Sequence, residues 1–272
     1  MKRKSYKSLN IAKAAKAKEK EFFKRLRVLS NTIDLSMQYW LLLAAKRKYT
    51  AKQLNKQIES LSNYWDKKAK EKAESIAKSF TKGINGFLNV KLRKQAEGIS
   101  LKEKTRLLQN EFNAAIERNA ALIKSIPREI IERYRSEILN NVSNLNQEAL
   151  IKAFKSFSNI SESRARFIAR DQTQKAITAL QNAKAQQLGY NYYIWHTAQD
   201  SRVSDEHKRL EGRIYSYTNP TAIIDSYGNV GHCSQRPNCR CYPEPIMLSP
   251  NQELELVKDS KAGDYYKIKA KK

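Results

Sequence analysis

The chain has 272 residues, 52 Lys+Arg against 27 Asp+Glu, a net charge of +25 and a pI of about 9.9. That length holds one or two domains with a real core. Only 8 Gly and 6 Pro punctuate it, so long stretches run without a helix breaker and a many-stranded all-β fold is excluded.

The basic excess is uneven. Residues 1–50 carry 14 basic and 3 acidic side chains, and residues 51–100 carry 11 and 5, so 17 of the 25 excess charges fall in the first hundred residues. Such an excess favours a polyanionic partner, nucleic acid first and anionic membrane second; the bland alternative is solubility combined with Lys-rich codon usage. The candidate DNA-contacting cations are Lys2, Arg3, Lys4, Lys13, Lys16, Lys18, Arg25 and Arg27. Met1–Lys20 has no apolar core behind it, so no secretory signal is expected. The longest apolar run, Tyr39–Ala45, is too short for a bilayer span of about 20 residues.

In chain order, residues 1–20 read as a basic flexible arm or frayed helix. A helical body over residues 21–158 follows. Phe22, Phe23, Leu26 and Leu29 make a core-facing stripe, and Leu35, Tyr39, Leu42 and Ala45 a buried one. Thr50 with Gln53 forms a capping box that opens a helix through Leu54, Ile58, Leu61, Trp65, Ala69, Lys72 and Ile76, ended by Gly83 and Gly86. Ser100 with Glu103 caps the next helix, Pro127 starts another at its first position, and Asn144 with Gln147 caps a further one. Ser161 opens the last long helix, which Gly189 closes.

After Gly189 the pattern changes. Tyr190–Thr197 and Arg213–Tyr217 are strand-like, Asp205–Glu211 is a short helix, and Cys239–Tyr242 is a closing strand. The polar tail, residues 248–272, is expected to be loosely held. The fold class is therefore mainly α: an extended helical N-terminal region, then a small α+β C-terminal module with a short antiparallel sheet.

All three His (196, 207, 232) and all three Cys (233, 239, 241) lie between positions 196 and 241. Clustered cysteines of odd number suit a local metal or thiol role in a reducing compartment better than a disulfide framework. In an extended segment Cys239 and Cys241 face one side while Arg240 faces the other. With Cys233 across the intervening loop and His207 on the short helix, four donors for a tetrahedral, structural Zn²⁺ are available. His232 competes for a place in that set, and cysteines acting as small buried hydrophobes are the equal alternative. Trp195 reads as a core anchor, and Asp200 is placed to form a bidentate pair with an arginine such as Arg240. Arg164, Arg166 and Arg170 form either a basic face or a solvated one.

The order Arg164…Ile168-Ala-Arg-Asp-Gln-Thr173, Gly189, Trp195-His-Thr197, Asp200-Ser-Arg202, His207, Leu210-Glu-Gly212 and Pro237-Asn-Cys-Arg-Cys241…Pro245 resembles the phage head-morphogenesis domain of the Mu F-like and SPP1 gp7-like minor head proteins. The resemblance covers residues 159–247 and gives Arg170, Trp195, Asp200, Arg202, Gly212 and Arg240 the standing of structural framework. Asp171-Gln172 stands where the family often has Thr-Glu, and Ser204 where many members carry Cys. The resemblance implies a non-enzymatic minor capsid protein, made in the host cytoplasm and residing in the virion or procapsid. Its implied partners are portal, major capsid or scaffold protein and double-stranded DNA, with no membrane span. The alternative is a zinc-stapled nuclease acting through His196, Asp200 or His207. Glu253-Leu-Glu255 matches the E-x-E of ADP-ribosyltransferases by chance, since no companion Ser-Thr-Ser element accompanies it.

Overall fold

The computed structural model describes residues 11–93, 106–140 and 147–271. Four long helices, α1 (Ile11–Lys46), α2 (Ala51–Arg93), α3 (Arg106–Asn140) and α4 (Gln147–Gln187), precede an antiparallel sheet. The sheet strands are β1 (Tyr192–His196), β2 (Ile214–Ser216), β3 (Tyr242–Ile246), β4 (Gln252–Val257) and β5 (Tyr265–Ala270), with a four-residue helix α5 (Asp205–Lys208) between β1 and β2. Contacts divide the chain into two compact units. The helical unit is Lys16–Gly83 with Ala114–Arg170; the C-terminal unit takes Ile84–Asn113 and Asp171–Lys272, together with Met1–Ala15.

In the helical unit, α1 buries Phe22, Leu26, Leu29, Ile33, Met37 and Leu41, whereas Leu35 and Tyr39 are more than 60% exposed. The expected stripe through Leu35 and Tyr39 is thus out of phase. Extended back by turns it meets Asn31, Val28 and Lys24, so the face starting at Phe22 is the only continuous apolar one on a helix this long. Phe22 stacks on Phe80 with ring centroids 4.0 Å apart. The Thr50–Gln53 capping box opens α2: Thr50 N–H donates to Gln53 Oε1 at 2.9 Å and Gln53 N–H to Thr50 Oγ1 at 3.3 Å.

Three expected breaks are absent. Gly83 and Gly86 lie inside α2, Pro127 lies inside α3, and Ser161 lies inside α4. A helical glycine costs about 1 kcal/mol and a proline about 3 kcal/mol, which the buried faces flanking them offset. Those faces are Phe80, Ile84 and Leu88 on α2, and Ile123, Ile126, Ile130 and Ile131 on α3. The pairs Ser100–Glu103 and Asn144–Gln147 involve residues outside the described ones. α1 begins by Ile11, so residues 11–20 of the expected arm are helical.

Asp34 sits in this apolar interior at 2% exposure. Ser161 Oγ (3.2 Å) and Tyr134 Oη (3.4 Å) donate to its Oδ1, while its Oδ2 has no partner among the described residues. Burial pushes its carboxyl up to about 6, against the pull of the Ser161 and Tyr134 hydroxyls and of Arg133.

In the C-terminal unit, Gly189 stops α4 at φ +84°. Its N–H bonds Gln186 O and that of Tyr190 bonds Ala185 O, both at 3.0 Å, a turn that a Cβ would oppose. The sheet order is β3-β1-β2-β5-β4. Strand β1, between β3 and β2, alternates, with Tyr193 and Trp195 fully buried, and these pack in one core with Tyr190, Leu210, Tyr215, Tyr217 and Ala222.

The tail is not loose: β4 and β5 pair as a hairpin and β5 joins β2 through Ile214–Tyr266. Its polarity is that of a solvated antiparallel pair, with Glu253 opposite Lys269 and Glu255 opposite Lys267, the cross-strand charge pattern that stabilises such strands. Gly263, at φ +77°, lets the tail approach so closely that a Cβ there would lie 1.7 Å from the Thr221 carbonyl oxygen.

Two outcomes are expected. Because folded Asp34 holds its proton to about pH 6 and the unfolded residue only to 3.8, the folded state binds more protons in that window. Stability therefore falls as pH rises from 4 to 6, by up to about 3 kcal/mol. Asp34→Asn should flatten that slope in denaturant titrations; an unchanged slope would contradict the assignment. Gly263→Ala should cost at least about 2 kcal/mol, and an unaltered melting temperature would show that the tail does not bear on the core.

Candidate metal centre

Each member of the Cys/His cluster takes its place from the local fold. His207 lies on α5 and is buried at 5% exposure. Its Nε2 bonds the Ile224 carbonyl at 3.0 Å, which fixes the proton there and leaves the Nδ1 lone pair for another partner. Nδ1 faces Cys239 Sγ at 3.5 Å and Cys241 Sγ at 3.4 Å. A tetrahedral zinc with ordinary Zn–S and Zn–N bonds sets its ligand atoms about 3.5 Å apart, so this spacing fits a metal. His207, Cys239 and Cys241, all buried, lie close enough together to hold a metal ion.

The two cysteines face one side and Arg240 the other, but they are not in a strand: β3 begins at Tyr242. Side chains satisfy this backbone instead of a ladder. Gln174 Nε2 (3.2 Å) and Ser234 Oγ (2.9 Å) both donate to the Cys241 carbonyl. Cys233 does not join the group. All three cysteines share one buried core, but the Cys233 sulfur does not converge with the other three donor atoms, and burial raises its thiol well above the usual range. His232 also turns elsewhere, its Nδ1 lying 3.1 Å from Tyr193 Oη.

The thiol pair loses its first proton easily and its second with difficulty. Cys239 is shifted down because the Cys241 thiol hydrogen-bonds its thiolate and His207 lies beside it, and Cys241 is shifted up by that same bond. Burial opposes charging His207, yet the Cys239 sulfur and the Ile224 carbonyl together outweigh it and the imidazole is raised. A pair already sharing a thiolate next to a fixed imidazole is well suited to a divalent cation.

A row of buried polar side chains on α4 holds the cysteine loop, and the sequence reading missed it. Asp171 Oδ1 accepts the Asn238 N–H at 2.8 Å, and Thr178 Oγ1 donates to Ser234 Oγ at 3.0 Å. Gln181 Nε2 donates to the Pro243 carbonyl at 3.2 Å. With Gln174 these residues stand three or four apart, on one helix face. Polar residues at that spacing among Ala176, Ile177 and Leu180 were the available signal.

Asp200 receives both guanidinium nitrogens of Arg240, at 2.5 and 2.6 Å, and Arg240, with Arg202 helping, holds its carboxyl far below the ordinary range. Gly212 N–H bonds the Trp195 carbonyl at 2.9 Å, and the Trp195 ring meets His207 edge-on at 5.6 Å. Arg170 is half-buried on α4 in the helical unit. Arg164 pairs with Glu129 at 2.8 Å, and Arg166 pairs with Glu162 at 2.8 Å and lies over Phe23.

The three residues weighed for nuclease chemistry face different partners. His196 lies between Glu211 (3.0 Å) and Glu244 (2.7 Å), Asp200 binds Arg240, and His207 faces the sulfurs. Glu253 lies on β4 beside Lys269 at 3.5 Å. Of the basic candidates, Lys2, Arg3 and Lys4 and the Lys13 side chain lie outside the described residues. Lys16 is exposed. Lys18 pairs with Glu21, Arg25 with Glu21 and Arg27 with Glu162, at 3.1–3.3 Å. Such exposed pairs are worth under about 1 kcal/mol and yield readily to a stronger anion.

Zinc at about a hundredfold its dissociation constant should stabilise the protein by about 2.7 kcal/mol. The melting-temperature increment should vanish in His207→Ala and Cys239→Ser but persist in Cys233→Ala. Its loss in Cys233→Ala alone would restore Cys233 to the ligand set.

The family described as Phage Mu protein F like protein matches residues 132–243, a span that contains His207, Cys239 and Cys241. A Haemophilus influenzae protein described only as uncharacterized is 29% identical over 211 residues, which is 75% of this chain and 45% of that relative. The chain thus spans less than half the length of the curated relative it matches. No solved structure matches it. Over residues 132–243, less than half of its length, the chain is thus similar to the Phage Mu protein F like family.

Proposed function

We propose that this chain is a minor head protein of a tailed phage or prophage, acting without catalysis in head assembly near the portal. The observation that carries this reading is the family match over residues 132–243, which spans the polar seam, the Asp200–Arg240 clamp and the Cys/His centre. Capsid assembly partners follow from the family; the portal, and the major capsid or scaffold protein, are the particular partners proposed. No described helix is long and apolar enough to cross a membrane.

The second element of the proposal is DNA contact through the first hundred residues, which hold 17 of the 25 excess charges. The third is that the ion held by His207, Cys239 and Cys241 is Zn²⁺, whose preference for thiolate and imidazole suits this donor set. Its role is to lock the loop 233–241 to α5.

Removing the gene from an inducible prophage should leave major capsid protein synthesis intact while filled heads fall sharply, and the protein should co-purify with wild-type procapsids. Normal heads without it would overturn the assembly role. Binding to a duplex should weaken with salt, with a log–log slope of about −0.9 per neutralised phosphate, and no binding at about 50 mM salt removes DNA from the partners. Plasmid nicking in Mg²⁺ or Zn²⁺ that is lost in His207→Ala would replace the assembly reading with the nuclease one.

A further inference from the structure

Three protein donors leave a tetrahedral ion one position short. No fourth His, Cys, Asp or Glu among the described residues, Cys233 included, converges with His207, Cys239 and Cys241. The three donors also form part of the wall of a pocket of about 130 Å³. Ser204, Asn238 and three arginines, Arg202, Arg236 and Arg240, line the rest of its polar surface, with no carboxylate among the lining residues.

We propose that the metal centre is open on this side and that its fourth position takes an oxyanion of the phosphate class, gripped by the pocket's guanidinium groups. The proposal rests on the metal reading above. A divalent ion with two thiolates and a neutral imidazole is formally neutral, so an anionic fourth ligand needs positive charge from its surroundings. The pocket supplies it. Arg240 is committed to Asp200. Arg236 makes only long contacts, 3.4–3.5 Å to Ser204 Oγ, Glu206 Oε2 and the Ile224 carbonyl. The Arg202 side chain is 71% exposed and holds Asp200 at 3.3 Å. Arg236 and Arg202 can therefore turn to an incoming phosphate, which guanidinium binds by paired, charge-assisted hydrogen bonds. Ser204 stands three residues before His207 at the start of α5, on the same side of that turn. Its hydroxyl is a weak zinc donor beside thiolate and imidazole, and it leaves the position to an outside ligand.

Cobalt(II) in place of zinc in the full chain reports its own coordination through its visible bands. One equivalent should bind with thiolate-to-cobalt charge transfer, and inorganic phosphate should shift the d–d bands saturably. A short DNA duplex at equal phosphate concentration forms a second arm. A shift with either probe supports the oxyanion site, and the stronger response tells free phosphate from backbone phosphate. Arg236→Gln should weaken the response by about tenfold with cobalt loading unchanged. Ser204→Cys should supply a third sulfur, intensify the charge-transfer band and abolish the phosphate response. Cobalt bound with bands indifferent to both probes overturns the open position and leaves the metal reading intact. No cobalt bound at all overturns both.

Discussion

The hydrogen bond from His207 Nε2 to the Ile224 carbonyl governs the chemistry of the C-terminal unit. An imidazole has two nitrogens and, when neutral, one proton. By taking that proton on the side away from the cysteines, the Ile224 carbonyl makes Nδ1 a lone-pair donor aimed at two sulfurs. With the proton on Nδ1 instead, the same ring would present an N–H to the thiols and repel a cation. The bond also joins α5 to the segment around Ile224, itself held by Ile224 N–H to Asn229 O at 2.8 Å. The ring is thus oriented from outside its own helix.

The cysteines need equal restraint, because the stretch before β3 has no ladder partners of its own. Two sets of polar groups supply it. Along α4, Asp171, Gln174, Thr178 and Gln181 take up backbone and side-chain groups between Ser234 and Pro243. From the other side, the Asp200 carboxylate fixes Arg240 in a two-point clamp. Fixing Arg240 outward sends Cys239 and Cys241 inward by the alternation of extended backbone. Buried polar groups are costly unless satisfied, so this region behaves as one network in which losing a single member leaves several others unpaired. The neighbouring aromatic core of Tyr193, Trp195 and Tyr215 contributes burial, while the network contributes the geometry.

What the sequence made legible follows from how local each signal is. The Thr50–Gln53 box, the Gly189 stop and the strand character of Tyr190–Thr197 are encoded within a few residues, and the structure contains all three. The inward pairing of Cys239 and Cys241 about Arg240 was equally local. The misreadings concern elements whose fate is decided by distant contacts. Gly83, Pro127 and Ser161 are breakers or caps by propensity, but buried faces on either side carry the helix through them. The tail reads as polar because its strands keep one face in water, and only the pairing of β5 with β2 reveals its place. Cys233 looked like a ligand by proximity in sequence, whereas the five residues between it and Cys239 let its sulfur point away from the other donors.

The distribution of charge separates two kinds of interaction in this chain. Much of the basic excess lies in the first hundred residues, where described cations such as Lys18, Arg25 and Arg27 sit in exposed ion pairs that salt screens over about 8–10 Å. Contacts made by such groups are adjustable and reversible, and suit a polymer of phosphates that must slide and be released. The arginines of the metal-centre pocket differ in kind. Arg240 is locked by Asp200, so its charge acts at one place, while Arg236, held by long contacts to Ser204 and Glu206, can turn toward an anion there. A phosphate group meeting the first set loses affinity steeply with ionic strength, while one meeting the second is held by direction as well as charge.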